Sequence, residues 1–278
     1  MATADEFEQV RNDPDPIRRG QRATDLITTY QQRATELARL RKEAIEEANR
    51  NGLSYTEIAK LLGVTKGRIS QIRTTAPKAQ RAFFGVGPVA IGIPRRFGLE
   101  DGRERPYFDA HDQATQEALE QTLADLSIVT SRFAIDSDHE DIPAGDCVIV
   151  CGPKSAPVAW RLLADDPFLS FDQSEQGWSI VDARTKRRHF SPFRSPSADH
   201  TDIGYFSRRV IDGRIVVHIA GITSIGSLGV ARWLSTNLPT IYDPASRLTS
   251  GIVECDFTDD FTVTETRLLA GPYTTTEP

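Results

Sequence analysis

Hydrophobic positions follow two regimes along the 278-residue chain. Up to about residue 73 they recur at spacings of three and four. Beyond about residue 87 they gather into short apolar runs separated by turn residues. The first pattern is that of amphipathic helices, the second that of strands alternating with helices. Asp15-Pro16 predicts a helix start, with the acid near the N-cap and Pro at the first helical position. Ala23, Ile27, Tyr30, Ala34, Leu37, Ala44 and Ala48, widened by Leu26, Leu40 and Ile45, continue that helix to Asn51-Gly52, a usual C-terminal signal. Gly20 permits a break or a frayed first turn. A stripe of this length suits either a self-association seam or packing against the chain's own next helices.

Ser54 followed by Glu57 forms a capping box, so a second helix starts there, with Ile58, Leu61 and Leu62 as its apolar face and Ala59 where a neighbour approaches closely. Gly63 supplies a tight turn. Thr65 caps a third helix whose Ile69 and Ile72 face inward, leaving Lys66, Arg68, Ser70, Gln71 and Arg73 outside. The pattern over 54–73 predicts a helix-turn-helix. A short second helix with a polar, basic outer face can enter the major groove, where Arg and Gln read base edges while Lys and Thr hold phosphates. The competing reading is a helical hairpin used only for packing.

This run, Ser-x-x-Glu-Ile-Ala-x-x-Leu-Gly-Val-Thr-x-x-x-Ile-Ser-x-Ile, resembles sigma-70 region 4-like and related bacterial helix-turn-helix domains over about twenty residues. The resemblance implies double-stranded DNA as partner, with Thr65, Lys66, Arg68, Ser70, Gln71 and Arg73 as contact residues.

Pro77 closes a linker over 74–86. After it, the pattern predicts a strand at 89–93, a helix at 113–126 and a strand at 128–135. A strand buried on both faces follows at Cys147–Cys151, then a helix from about Pro157 to Asp165. Two hairpins come next, 178–181 with 189–191 and 203–211 with 214–220. A helix at about 228–237 and a terminal strand pair within 251–268 complete the series. The fold class expected is α + α/β: a helical helix-turn-helix domain over 1–73, then a mixed-sheet α/β domain over 87–278 with helices on both faces.

Two strand-to-helix loops of that domain are candidates for a ligand. Cys151-Gly152-Pro153-Lys154-Ser155-Ala156-Pro157 is the first and 220–229, with Ser224, Gly226 and Ser227, the second. Small residues and hydroxyls at a helix N-terminus offer free N–H groups and the positive end of the helix dipole to an anion. Both would lie outside the carboxyl ends of strands, where open α/β sheets bind ligands. Gly152, Lys154, Ser155, Ser224, Gly226 and Ser227 are the predicted ligand residues, for a small anionic, phosphate-bearing or nucleotide-like effector. The opposing reading is that these glycines only permit tight turns and close helix–sheet packing. Gly221-x4-Gly226 begins like a Walker A loop, but Ser227 and Leu228 follow it, so the phosphate-reaching Lys is missing. No Gly-x-Gly-x-x-Gly is present either, and no cofactor is expected.

Other candidates carry blander readings. Asp109, His111 and Asp112 precede a helix and are placed to line the same edge, but Asp112 more simply caps that helix. The acidic loop 136–141 lacks the spacing of a calcium loop, and Cys147 and Cys151 lack further ligands at metal spacing, so no metal is expected. His218 reads as a core histidine, and Arg184, Lys186, Arg187 and Arg188 as a solvated hairpin tip. No nucleophile motif such as Gly-x-Ser-x-Gly occurs, so no catalytic residue is assigned.

Charge sharpens the division. Residues 1–80 carry 14 basic and 11 acidic side chains, residues 81–278 carry 19 and 28, and the net charge is −6. From Lys60 through Arg81 there is no acid, which suits a segment meeting a polyanion. No apolar run approaches the roughly 18 residues of a membrane span. Three cysteines and an acidic N-terminus without a signal-peptide core predict a cytoplasmic protein with no membrane contact. The order of helix-turn-helix, linker, "DCVIVCGPKSAPVAWRLLADDPFLSF", "GWSIVDARTK" and "HIAGITSIGSLGVARWL" looks like bacterial regulators that fuse a sigma-like helix-turn-helix to an α/β domain. That likeness implies a one-component transcription regulator with a ligand-sensing C-terminal domain, and helix-turn-helix geometry suggests a homodimer. Two other readings stand beside it: a DNA-targeted nucleotide- or ribosyl-processing enzyme, and a non-enzymatic adaptor docking on RNA polymerase.

Overall fold

The computed structural model describes residues 3–195 and 199–276. The chain divides into two compact units, residues 1–79 with 86–88, and residues 80–85 with 89–278.

In the first unit, α1 (Thr3–Arg11) and α2 (Pro16–Arg50) are joined through Asp13. Its buried carboxylate pairs with Arg18 at 2.7 Å and Arg22 at 3.0 Å, while Phe7 of α1 stacks on Tyr30 of α2. Asp15 caps α2 by accepting from the N–H groups of Ile17 and Arg18, and Gly20 interrupts nothing. α3 (Tyr55–Leu61) opens with the Ser54–Glu57 capping box, both halves of it formed. Gly63, at φ +65°, makes the turn to α4 (Lys66–Thr75), capped by Thr65. Ile45, Ile58, Ala59, Ile69 and Ile72 form the small core of α2, α3 and α4. Leu61 and Leu62, expected on the apolar face of α3, are exposed instead. Ile58 and Ala59 take the positions of α3 that join Ile45, Ile69 and Ile72, which leaves Leu61 and Leu62 outside this core.

Residues 80–85, expected within a linker, pack into the second unit. Arg81 is fully buried and donates to the carbonyls of Leu126 and Ser127, where α5 (Ala110–Asp125) ends. A cation there satisfies carbonyls left free by a helix terminus. Arg81 thus leaves the basic run in which charge alone had placed it.

The second unit is an α+β structure on a mixed eight-stranded sheet. β1 (Val89–Glu100) lies parallel to β3 (Thr130–Ile135) and β4 (Cys147–Val150), and β4 is parallel to β9 (Arg214–Gly221). β8 (Thr201–Ile211), β10 (Leu248–Phe257) and β11 (Val263–Thr275) extend it antiparallel beyond β9. The far half of β1 turns back into β2 (Arg103–Phe108), a hairpin absent from the expected pattern because every β2 residue is exposed. Val148 and Val150 face α5 and α7 (Ser224–Ile241), while Cys147 and Ile149 face α6 (Pro157–Ala164). The α6 side is shared with a second sheet of β5 (Leu169–Ser174), β6 (Gly177–Asp182) and β7 (Arg187–Phe190). Helices therefore cover both faces, with a three-stranded meander completing one of them.

α7 starts at Ser224, four residues before the expected boundary, because the glycines there are helical packing residues. A Cβ on Gly226 would lie 2.3 Å from the Ile203 carbonyl of β8. Helix propensity alone predicts a gain of about 1 kcal/mol for Gly226→Ala. The contact predicts the opposite sign, a loss on the order of 1–3 kcal/mol from forced displacement of α7, read by urea denaturation of the full chain.

Candidate functional site

On α4, Lys66, Arg68, Ser70 and Gln71 are exposed, and the Arg68 guanidinium donates to the Gln71 side chain at 2.6 Å. Thr65 is occupied as the N-cap, its Oγ1 accepting from the Arg68 N–H. Arg73 differs from expectation. It is half-buried, its guanidinium 4.2 Å from the centre of the Tyr55 ring, so it ties α4 to α3 rather than standing free with the others.

In the second unit, the carboxyl ends of β4 and β9 and the middle of β1, just past its parallel pairing, border a cleft of about 510 Å³. Gly152, Lys154, Ser155, Ser224 and Ser227 all line it, so the two predicted loops do meet. Gly226 does not line it. Asp109 and Asp112, weighed from the sequence as lining the same edge, do border this space, and sequence reasoning missed Arg95, Arg96 and Arg194, which border it too.

The expected use of backbone N–H groups needs correction. At the start of α7 the anion is the protein's own Asp202, whose Oδ2 accepts from the N–H groups of Thr223 (3.2 Å) and Gly226 (3.0 Å) and from the Thr223 hydroxyl (2.6 Å). Burial raises the pKa of Asp202, against hydrogen bonds from Ser191 and Thr223 that favour the carboxylate. Ser227 is similarly engaged, its Oγ accepting from the Gly221 N–H at 2.8 Å. At α6 the Val158 N–H goes to the His139 carbonyl. Both helix termini are thus served largely from within the protein.

The positive charge bordering the cleft lies on side chains. Lys154 donates from Nζ to the Ile222 carbonyl at 2.7 Å, and its ammonium is partly withdrawn from water. That desolvation lowers its pKa, helped by Arg194 and Arg96 and opposed by Asp202. Arg95 is held by Asp136, at 2.6 and 2.7 Å, so part of the acidic loop 136–141 is an ion-pair partner. Arg96 is held by Asp112 at 2.8 Å. Lys154 and Arg194 have no carboxylate partner among the described residues. Asp112 does not cap α5; Asp109 does, accepting from the His111 and Asp112 N–H groups. Asp112 is buried, and burial raises its pKa despite Arg96.

Ser224 Oγ lies 3.3 Å from His111 Nδ1 and also bonds the Asp109 carboxylate. Burial opposes ionisation of Asp109, yet the Ser224 hydroxyl and the His111 N–H lower its pKa overall. The same imidazole nitrogen faces both Ser224 and Asp109, the latter at 3.8 Å. A nucleophilic relay needs the base to meet its two partners through different nitrogens, so this cluster lacks that geometry. Cys151 borders the cleft as a buried thiol pushed up to about 12 by desolvation, a value that suits packing rather than nucleophilic attack. No group of three or more His, Cys, Asp or Glu among the described residues is arranged to hold a metal ion. No helix among them is long and apolar enough to cross a membrane.

The chain matches no protein-family model, no curated protein and no solved structure. The likeness to sigma-70 region 4-like domains therefore rests on residues 54–73 themselves.

Beneath the cleft, His218 is fully buried and donates from Nε2 to the Cys151 carbonyl at 2.8 Å, which fixes the neutral tautomer. Burial lowers its pKa from 6.5 to about 4, the Cys151 bond opposing. Between those values the unfolded chain takes up the proton first, so stability falls as pH drops from about 6.5 to 4, by up to ~3 kcal/mol. His218→Gln should flatten this part of the pH profile in urea denaturation; an unchanged slope would assign the acid sensitivity to another group.

Proposed function

We propose that the protein is a sequence-specific DNA-binding transcriptional regulator whose α/β unit senses a small anionic ligand. The observation that carries the first part is the sorting of α4. Ile69 and Ile72 are buried, while Lys66, Arg68, Ser70 and Gln71 form an exposed polar and basic row. In this reading Thr65, Lys66 and Arg68 hold phosphates, and Ser70 and Gln71 contact base edges. Arg73 supports α4 through Tyr55. The ligand part draws on Lys154, Arg96 and Arg194 around one cleft. Homodimers would present two α4 helices to successive half-sites, in the cytoplasm of the host cell.

An enzyme reading draws on the Asp109–His111–Ser224 cluster. It predicts product formation from a nucleotide or ribosyl substrate that Ser224→Ala abolishes. The nitrogen shared between Asp109 and Ser224 weighs against it.

The test is binding of the full-length protein to fragments of its own upstream DNA and to an unrelated control across a salt series. Selective binding that weakens steeply with salt is expected. Arg68→Ala and Gln71→Ala should each weaken it by about tenfold or more without changing the circular dichroism of the protein. Arg73→Ala is a poorer probe because it also removes packing on Tyr55. Absence of selective binding at low salt would refute the regulator.

A further inference from the structure

The cationic cleft does not end at its charged residues. Lys154, Arg194 and Ile222 also line an adjoining compartment of about 760 Å³, walled by Trp178 and Phe190 and edged by Gln176. Its lining is mostly apolar, in contrast to the polar first compartment. Trp178 is half-buried, packed at 6.0 Å against Trp160 of α6, and the Lys154 ammonium stands 6.0 Å from its ring centre. One small molecule can therefore meet the ammonium and the aromatic wall together.

We propose that the ligand has two joined parts: an anionic group held among Lys154, Arg96 and Arg194, and a planar heteroaromatic body laid against Trp178. This is the chemistry of a nucleoside phosphate. The proposal rests on the reading of the cleft as an anion site and adds a second subsite to it.

The division of labour follows from the surroundings. Cations gather where both compartments meet, so charge is recognised at the junction. The aromatic compartment offers stacking area and, at its rim, the side chains of Gln176 and Glu175 for ring donors. Glu175 repels an anion, which orients the ligand with its charged end toward Lys154. Stacking on an aromatic side chain accepts any heterocycle face, whereas the rim amide and carboxylate discriminate among ring edges.

Calorimetric titration of the full chain with pyrophosphate, with adenosine and guanosine, and with their diphosphates tests this. At least one nucleoside diphosphate should bind about tenfold or more tighter than pyrophosphate, the size of one aromatic stacking contact. Trp178→Ala should erase that margin and leave pyrophosphate binding unchanged, while Trp178→Phe, which keeps the packing, should retain most of it. Lys154→Gln should weaken pyrophosphate and nucleotides alike. Pyrophosphate binding with no nucleotide margin, or a margin that survives Trp178→Ala, overturns the aromatic subsite and leaves the anion site standing. No binding by any of these probes overturns both.

Discussion

The arrangement of the α/β unit depends on one buried carboxylate. Asp202, on β8, reaches the first turn of α7 and there accepts three hydrogen bonds through a single oxygen. A negative charge at a helix N-terminus is favourable because it meets unpaired N–H groups and the positive end of the dipole. The contact draws α7 so close to β8 that Gly226 lies against the Ile203 backbone. With α7 placed, Ile222 presents its carbonyl to Lys154, and Ser224 meets His111 and Asp109 at the start of α5. One internal ion thereby sets the geometry of a cleft whose own chemistry is of the opposite sign.

The same interaction changes how an anion would be recognised. A loop rich in glycines and hydroxyls beside a helix start suggests capture by backbone N–H groups. Here Asp202 fills that position at Gly226, so what the cleft offers is guanidinium and ammonium groups at the end of flexible stems. Arg95 and Arg96 are already compensated by Asp136 and Asp112. Among the described residues Lys154 and Arg194 have no carboxylate in ion-pair contact, and burial, helped by Arg194 and Arg96 and opposed by Asp202, lowers the Lys154 pKa. Like charges held close together disfavour their own ionised forms, and Asp202 offsets this only in part at Lys154.

Much of this was legible in the sequence, for identifiable reasons. The helices of the first unit announce themselves through periodicity, a capping box and a glycine turn, all of them local signals. The buried strand at Cys147 and the β8–β9 hairpin were equally local. β2 escaped because an exposed strand has no apolar alternation, and its Pro106 argues against a strand. The roles of Asp202, Trp178, Arg81 and Arg73 could not be read, since each depends on a partner distant in sequence or on burial that a charged residue type does not suggest. Arg81 illustrates the error most clearly: counted as surface charge, it is a buried donor to the end of α5. The two loops named from the sequence line one cleft, but Gly221 and Gly226 are tightly packed and the Ser227 hydroxyl is taken by the Gly221 N–H.

The two units meet negative charge on different terms. Acidic side chains exceed basic ones by nine over residues 81–278, so at long range this unit repels anions. On the proposed reading its cations would act on a ligand only inside the cleft, at a few ångströms. Screening by salt is weak at that range, because the charges lie well inside a Debye length of about 8 Å at physiological ionic strength. The polar row on α4 is the reverse case, exposed along a helix and free to act through solvent on an extended polyanion, where counterion release makes affinity steeply salt-dependent. On the proposed reading, the chain would hold one polyanion at a surface and one small anion in a cleft without the two sites competing for the same ligand. On that reading an extended helical row suits the polymer, and cations converging on one concave site within an acidic body suit the small molecule.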